Sequence, residues 1–240
     1  MRNPWIVFLL PFVLFMLVGS LEPTPAVPGG QKIGLAIPYA GYPWVYTAKI
    51  AITVTAMLAV MSGYRQFPLR VSWWGLLTGV LGGAVWVGIC RLRLEERLLG
   101  PLGLGPVLGL GVRSGFNPLE QLRDHAAWAW SFLAIRLLGL VVVAPLVEEF
   151  FLRGFVMRLP LGPRWWSVPF GKVNGAALVA GTLLPMLMHP QELFAAAAWF
   201  SLVTWLMVRT RNIWDCVAAH AVTNLLLGIY VVASGQWQWM

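Results

Sequence analysis

The chain has 240 residues, of which 59% are hydrophobic and only 11% charged, with a net charge of +8 and a mean hydropathy of +0.74. A soluble domain is roughly 45–50% apolar and about 25% charged. This composition therefore excludes an ordinary soluble domain and reads as all-α, a polytopic membrane helix bundle of about seven to eight transmembrane helices. Most of the basic residues sit in short segments between apolar runs, the positive-inside pattern, and they form no nucleic-acid-binding patch. Cys90 and Cys216 lie in or beside apolar runs and offer neither a disulfide framework nor a CxxC metal pair. Fourteen tryptophans suit membrane interfaces, where the ring has one wet and one apolar side.

Residues 5–21 are the first apolar run. Arg2 and a short core resemble a signal peptide. Pro4, Pro11 and the bulky core favour a retained helix instead. Residues 22–36 are a Pro- and Gly-rich loop. Residues 37–62 form the second span, with Lys49 snorkelling or facing the bundle interior. After the basic loop 64–70, residues 71–90 form the third span, whose Gly75, Gly79, Gly82 and Gly83 permit close helix packing. Residues 91–124 begin with mixed charges and continue as apolar sequence broken by Gly and Pro. They read as a re-entrant, interfacial or covering segment, because irregular backbone survives at depth only when it is buried in protein or faces water.

Residues 125–160 are a long apolar stretch with Arg136 and the motif Glu148-Glu149-x-x-x-Arg153. Pro145 removes a backbone donor and predicts a kink just before the glutamates. Three further spans follow at 173–189, 192–208 and 213–233. On a basic-inside topology, Arg65 and Arg70, then Arg158, Arg164 and Lys172, then Arg209 and Arg211 lie on the inner side. Lys32, Glu22, His189 and Glu192 lie on the outer side. Seven crossings plus one irregular segment satisfy this. The chain divides into 1–124, the N-terminal helices and irregular segment, and 125–240, a helical core, within one membrane domain.

Each charge at the centre of an inserted helix costs on the order of 2.5–3.5 kcal/mol, so Glu148, Glu149 and Arg153 together mark a functional site. Glu149 and Arg153 are i and i+4, with the glutamate on the favourable side, and read as a structural pair. Glu148 is rotated about 100° away and is the candidate reactive carboxylate. The rival reading is one buried ion-pair cluster that only fixes packing. Two more polar sites follow in apolar sequence: His189, and the i, i+4 pair His220 and Asn224.

A carboxylate, two imidazoles and an amide could together support water-mediated hydrolysis. The carboxylate would act as general base, one histidine would position the water, and the other polar groups would stabilise an oxyanion. Glu148, His189 and His220 could alternatively hold zinc with a water. The chain has no HExxH.

Glu148-Glu149-x-x-x-Arg153, then His189, then His220-x-x-x-Asn224, on successive apolar segments, resembles the CPBP family over about residues 125–233. That family comprises the type II CAAX prenyl endopeptidases and related bacteriocin-processing or immunity proteins. The resemblance implies an intramembrane glutamate endopeptidase without organic cofactor, hydrolysing a peptide bond near the membrane surface. It makes Glu148 the base, His189 its partner in activating water, and His220 and Asn224 the oxyanion stabilisers. One departure is Pro185, where the family commonly has an aromatic residue. Pro11-Phe12-Val13-Leu14-Phe15 and Trp44-Val45-Tyr46 also resemble a bacterial subgroup found with exosortase protein-sorting systems. The expected partners are membrane lipid and a peptide or protein substrate, lipid-anchored or sorted, at the bacterial inner membrane. The rival functions are a catalytically silent scaffold and a transporter with a proton relay. Few ionisable residues beyond Arg136 occupy the outer halves of the spans, which argues against the relay.

Overall fold

Long apolar runs in a chain with so few charges leave the backbone one economical solution in a bilayer. Each segment satisfies its own N–H and C=O groups as a helix. A computed structural model describes residues 3–25, 37–108, 110 and 115–240. Among these residues the regular structure is entirely helical. The helices are α1 (Pro4–Gly19), α2 (Tyr42–Tyr64), α3 (Trp73–Leu92), α4 (Ala126–Leu138), α5 (Ala144–Phe151), α6 (Gly175–Met188), α7 (Leu193–Thr210) and α8 (Ile213–Ser234).

Five stretches are long and apolar enough to cross a membrane: Tyr39–Tyr64, Trp73–Leu98, Arg123–Leu161, Leu193–Thr210 and Ile213–Ser234. Pro4–Gly19 and Gly175–Met188 are apolar but shorter. These elements coincide with the seven expected spans. The protein is an all-α membrane bundle.

Lipid tails are as apolar as leucine, so helix association rests on close packing and hydrogen bonds rather than on the hydrophobic effect. The glycines of α3 supply that closeness against α8. A Cβ on Gly79 would lie 2.6 Å from Val222 Cβ and 2.7 Å from the Ala219 carbonyl oxygen. One on Gly82 would meet Trp199 of α7 at 2.8 Å and Thr223 Oγ1 at 2.9 Å. Hydrogen bonds complete the seam. Thr223 Oγ1 donates to the Gly79 carbonyl at 2.9 Å and accepts from Trp199 Nε1 at 3.0 Å.

The irregular segment contains only short helical turns among its described residues, Leu94–Leu98, Gly105–Leu108 and Pro118–Gln121. Part of the expected covering stretch, at 109 and 111–114, lies outside the described residues. So do Lys32 and most of the loop at 22–36. The segment is tied to the bundle by Glu95. Its carboxylate is buried and accepts from the Phe194 N–H at 3.0 Å, capping the start of α7.

Arg158, expected in an inner loop, lies in the turn that enters the 159–172 loop. It is buried, and its guanidinium donates to the carbonyls of Gly154, Trp166 and Val168, folding the 159–172 loop back onto the bundle.

Gly79→Ala should lower thermal stability, with overpacking costing about 1–3 kcal/mol. Gly88→Ala, whose Cβ would meet nothing within 4 Å, should be neutral or stabilising. Melting curves of the two variants in one detergent check the contrast.

Candidate active site

The site is built where two π-helical turns interrupt one long helical stretch. Gly139–Val143 precedes α5, and Leu152–Val156 follows it. Pro145 lies in the first turn of α5, directly after the first π-turn. In the first π-turn the Ala144 N–H bonds the Gly139 carbonyl, five residues back. The next residue in that register is Pro145, which has no N–H to give Leu140. The Leu140 carbonyl is left without its helical donor, and Asn224 of α8 supplies one through Nδ2 at 2.8 Å. The proline thus decides what Asn224 is bonded to.

Glu148 and Glu149 leave α5 in different directions. Glu149 is wholly buried. Its Oε2 lies 2.6 Å from Arg153 Nη1, and Arg153 is equally buried. The approach is off the hydrogen-bonding direction, so the contact is an ion pair. Arg153 also reaches the Phe200 carbonyl through Nη2 at 3.4 Å. The other oxygen, Glu149 Oε1, lies 2.9 Å from His220 Nδ1. Glu149 therefore has two partners, and the second is 71 residues away. The spacing of the first motif exposes only Arg153. No local signal in the sequence pointed to His220 as the second partner of Glu149.

His220 is held between this carboxylate and the ring of Trp199, whose centroid is 4.6 Å away at 63°. Its Nε2 faces Glu148, with Oε2 at 3.9 Å. That gap is too long for a direct hydrogen bond. It is shorter than two donor–acceptor lengths of about 2.8 Å each, so one water seated to the side can touch both groups.

His189 was expected at the end of the span 173–189. It is the C-cap of α6, a helix of only 14 residues that contains Pro185. Its ring Nδ1 lies 2.8 Å from the Pro185 carbonyl oxygen. Since that oxygen can only accept, Nδ1 carries the proton and Nε2 is left as an acceptor. Trp86 and Phe200 flank the ring, at centroid distances of 5.6 and 5.7 Å.

Glu148, His189, His220 and Asn224 all line one cavity of about 350 Å³. The same cavity receives groups that sequence reasoning had not brought together. Lys49 forms an ion pair with Glu22, and its ammonium lies over the rings of Tyr46 and Phe15 at 4.4 and 4.6 Å. Arg136 donates to the Phe116 carbonyl at 2.6 Å and also to the Met240 carbonyl. It stacks over Tyr42 at 5.5 Å. Neither cation snorkels; both are buried. Glu192 lines the cavity too. The paucity of ionisable groups beyond Arg136, which argued against a relay, therefore does not hold for the cavity.

Among the described residues no group of three His, Cys, Asp or Glu side chains is placed to hold a metal ion. Glu148, His189 and His220 thus share a cavity without forming a ligand cluster.

The bundle of apolar helices thus encloses a cavity lined by carboxylates and histidines, in a protein built to span a membrane. Residues 129–226 match the family described as Type II CAAX prenyl endopeptidase Rce1-like. Over that stretch the chain is similar to this family, a family of proteases. No curated protein and no solved structure gives a match. The family match begins after residues 11–15 and 44–46, so the resemblance of those segments to exosortase-associated proteins lies outside it.

Two outcomes follow from the geometry. Glu149→Gln removes half of a buried ion pair and should destabilise the fold by about 3–5 kcal/mol, as Arg153 is left uncompensated. Asn224→Ala should cost about 1–3 kcal/mol by leaving the Leu140 carbonyl without a donor. In a Pro145→Ala background, where residue 145 again carries an N–H, the Asn224→Ala loss should shrink. A double-mutant cycle on unfolding midpoints reads this coupling directly.

Proposed function

We propose that the protein is an intramembrane endopeptidase in which Glu148 activates water for attack on a peptide bond. One observation carries the reading. Glu148 is the carboxylate of the pair that faces the cavity, 3.9 Å from a histidine, while its neighbour Glu149 is fully engaged inside the protein. A water between Glu148 and His220 would lose a proton to the carboxylate as it attacks the substrate carbonyl. His189, with Nε2 as an acceptor, is suited to orient that water.

For His220 to stabilise the oxyanion it must donate from Nε2. Since Nδ1 faces Glu149, that role requires the doubly protonated ring. Two carboxylates then face two cations, Arg153 and His220, a neutral set appropriate to a dry interior. Asn224 already gives one N–H to Leu140, so only its second can serve an oxyanion, and its share is the smaller one. The protonated Glu148 would return its proton to the leaving amine, with no covalent intermediate.

The substrate is a peptide or protein presented at the membrane. A location in the bacterial inner membrane and a link to a protein-sorting system belong to this proposal, and the latter rests on residues 11–15 and 44–46 alone. No metal is required by the mechanism.

The test is cleavage of a membrane-anchored reporter-peptide library by protein reconstituted in liposomes. Glu148→Gln should abolish turnover and leave a folded, inserted protein. His220→Ala should lower the rate by about 10²–10³, the usual cost of one oxyanion donor. Full activity in Glu148→Gln would overturn the assignment. Activity should also survive strong chelators. Stoichiometric zinc lost together with activity would favour a metallopeptidase instead.

A further inference from the structure

A second polar cleft lies at the opposite end of α8 from its C-terminal turn, far in sequence from the carboxylate motif. It has a volume of about 550 Å³ and runs between the loop entering α3 and the turn joining α7 to α8. Three arginines line it, Arg70, Arg209 and Arg211. All three are exposed. Among the described residues none of their guanidinium groups has a carboxylate partner. Arg209 lies over the ring of Trp74 at 5.7 Å.

The two walls of the cleft are fixed relative to each other. Asn212 donates through Nδ2 to the Arg70 carbonyl at 2.6 Å, and its Oδ1 caps α8 at the Trp214 N–H. The buried Asp215 accepts from the Ser72 N–H at 2.6 Å and from its hydroxyl at 3.0 Å. Asp215 also lines the cleft, but both its oxygens are engaged by Ser72. Arg211 holds a left-handed backbone, φ 52°, a conformation that a non-glycine residue adopts only when its surroundings impose it. The arginines are thus presented on a rigid frame.

Directly along α3 and α7 from this cationic mouth the surface turns apolar. Trp73, Leu76 and Leu77 of α3 are 56%, 48% and 54% exposed, and Trp205 and Val208 of α7 are 47% and 40% exposed. Trp74 and Trp205 touch edge to face at 5.8 Å, joining the two helices into one surface. A cationic cleft at a helix end, continuous with an apolar strip along the helices, has the profile of one amphiphile. Its head would be anionic and its tails would be acyl chains.

We infer that this cleft is a binding site for an anionic phospholipid, with Arg70, Arg209 and Arg211 on the phosphate headgroup and the α3–α7 surface under the acyl chains. Basic pockets between membrane helices take such headgroups. Free phosphate shares the headgroup chemistry but has nothing to place on the strip. The site is independent of the carboxylate cavity and of the reaction proposed there.

The test is native mass spectrometry of the full chain in a neutral detergent, titrated in parallel with phosphatidylglycerol, phosphatidylcholine of the same acyl chains, and inorganic phosphate. Phosphatidylglycerol should be retained and the other two should not. The combined variant Arg70→Gln, Arg209→Gln, Arg211→Gln should weaken phosphatidylglycerol binding by roughly a hundredfold, three cations at about fivefold each. The control Arg65→Gln, Arg164→Gln, Lys172→Gln removes the same charge from exposed positions outside the cleft and should bind nearly as the parent does. Melting curves without lipid establish that both variants are folded. If either fails to fold, the single variants of the same residues replace it. Equal loss in both sets would show diffuse surface attraction and overturn the site. Equal retention of phosphatidylcholine would show an apolar contact only. Phosphate retained as well as the lipid would reduce the site to a free-anion pocket.

Discussion

The structure depends on one constraint: Arg153 must be neutralised where no water can reach it. A guanidinium with no exposed surface demands a carboxylate, and Glu149 one turn earlier supplies it. That carboxylate has a second oxygen, which would itself be unsatisfied in a dry interior. His220 takes it. The chain therefore links α5, the second π-turn and α8 through a charge network that cannot be left half built. The position of His220 follows from the need to complete an ion pair, and its other ring nitrogen is turned toward Glu148 as a consequence.

Backbone accounting explains the remaining placements. Inside a membrane bundle a carbonyl that loses its helical donor has to find another. Pro145 and the π-turn leave Leu140 in that state, and Asn224 answers it. The second π-turn leaves the Gly154 carbonyl to Arg158. At the end of α6, the Pro185 carbonyl is met by the ring of His189. Two polar side chains that could have been assigned to chemistry alone, Asn224 and His189, are thus also held by orphaned carbonyls. This is how a cavity made of mobile side chains becomes a fixed one. Each group has one atom committed to the scaffold and one left facing the space.

Hydropathy made the spans legible. The seven apolar elements of the bundle lie where the apolar runs do, and the Gly75, Gly79, Gly82 and Gly83 stripe marks the α3 face that meets α8. The i, i+4 rule was enough for Glu149 and Arg153. It could not reveal contacts made across the chain, such as Glu149 with His220 or Glu22 with Lys49. No periodicity encodes a partner 71 residues away. The π-turns were hidden for a related reason. A run such as Gly139-Leu140-Val141-Val142-Val143 has the same apolar character whether it bonds four or five residues back, and only the tertiary demand on Leu140 distinguishes the two. The burial of Arg158 was not legible, because charge next to a predicted helix end reads as an exposed loop residue. It comes from one carbonyl of the second π-turn and two of a loop that itself folds inward.

The division of labour between the adjacent glutamates is then a matter of geometry rather than of intrinsic chemistry. Successive residues of a helix are turned by about 100°. When Glu149 points at Arg153 and His220, Glu148 is turned away from that network and stands 3.9 Å from His220 Nε2. It therefore remains with unused acceptor capacity at the wall of a cavity large enough for water. Moving the Arg153 partner by one residue in sequence would exchange the roles, with the buried carboxylate becoming the free one. The motif Glu148-Glu149-x-x-x-Arg153 accordingly leaves one carboxylate facing the cavity by assigning its neighbour to structure. The ion pair of Lys49 with Glu22 follows the same logic at the wall of the same cavity. Its ammonium is already matched, which leaves the Glu148 carboxylate to the cavity when the interior charges are balanced.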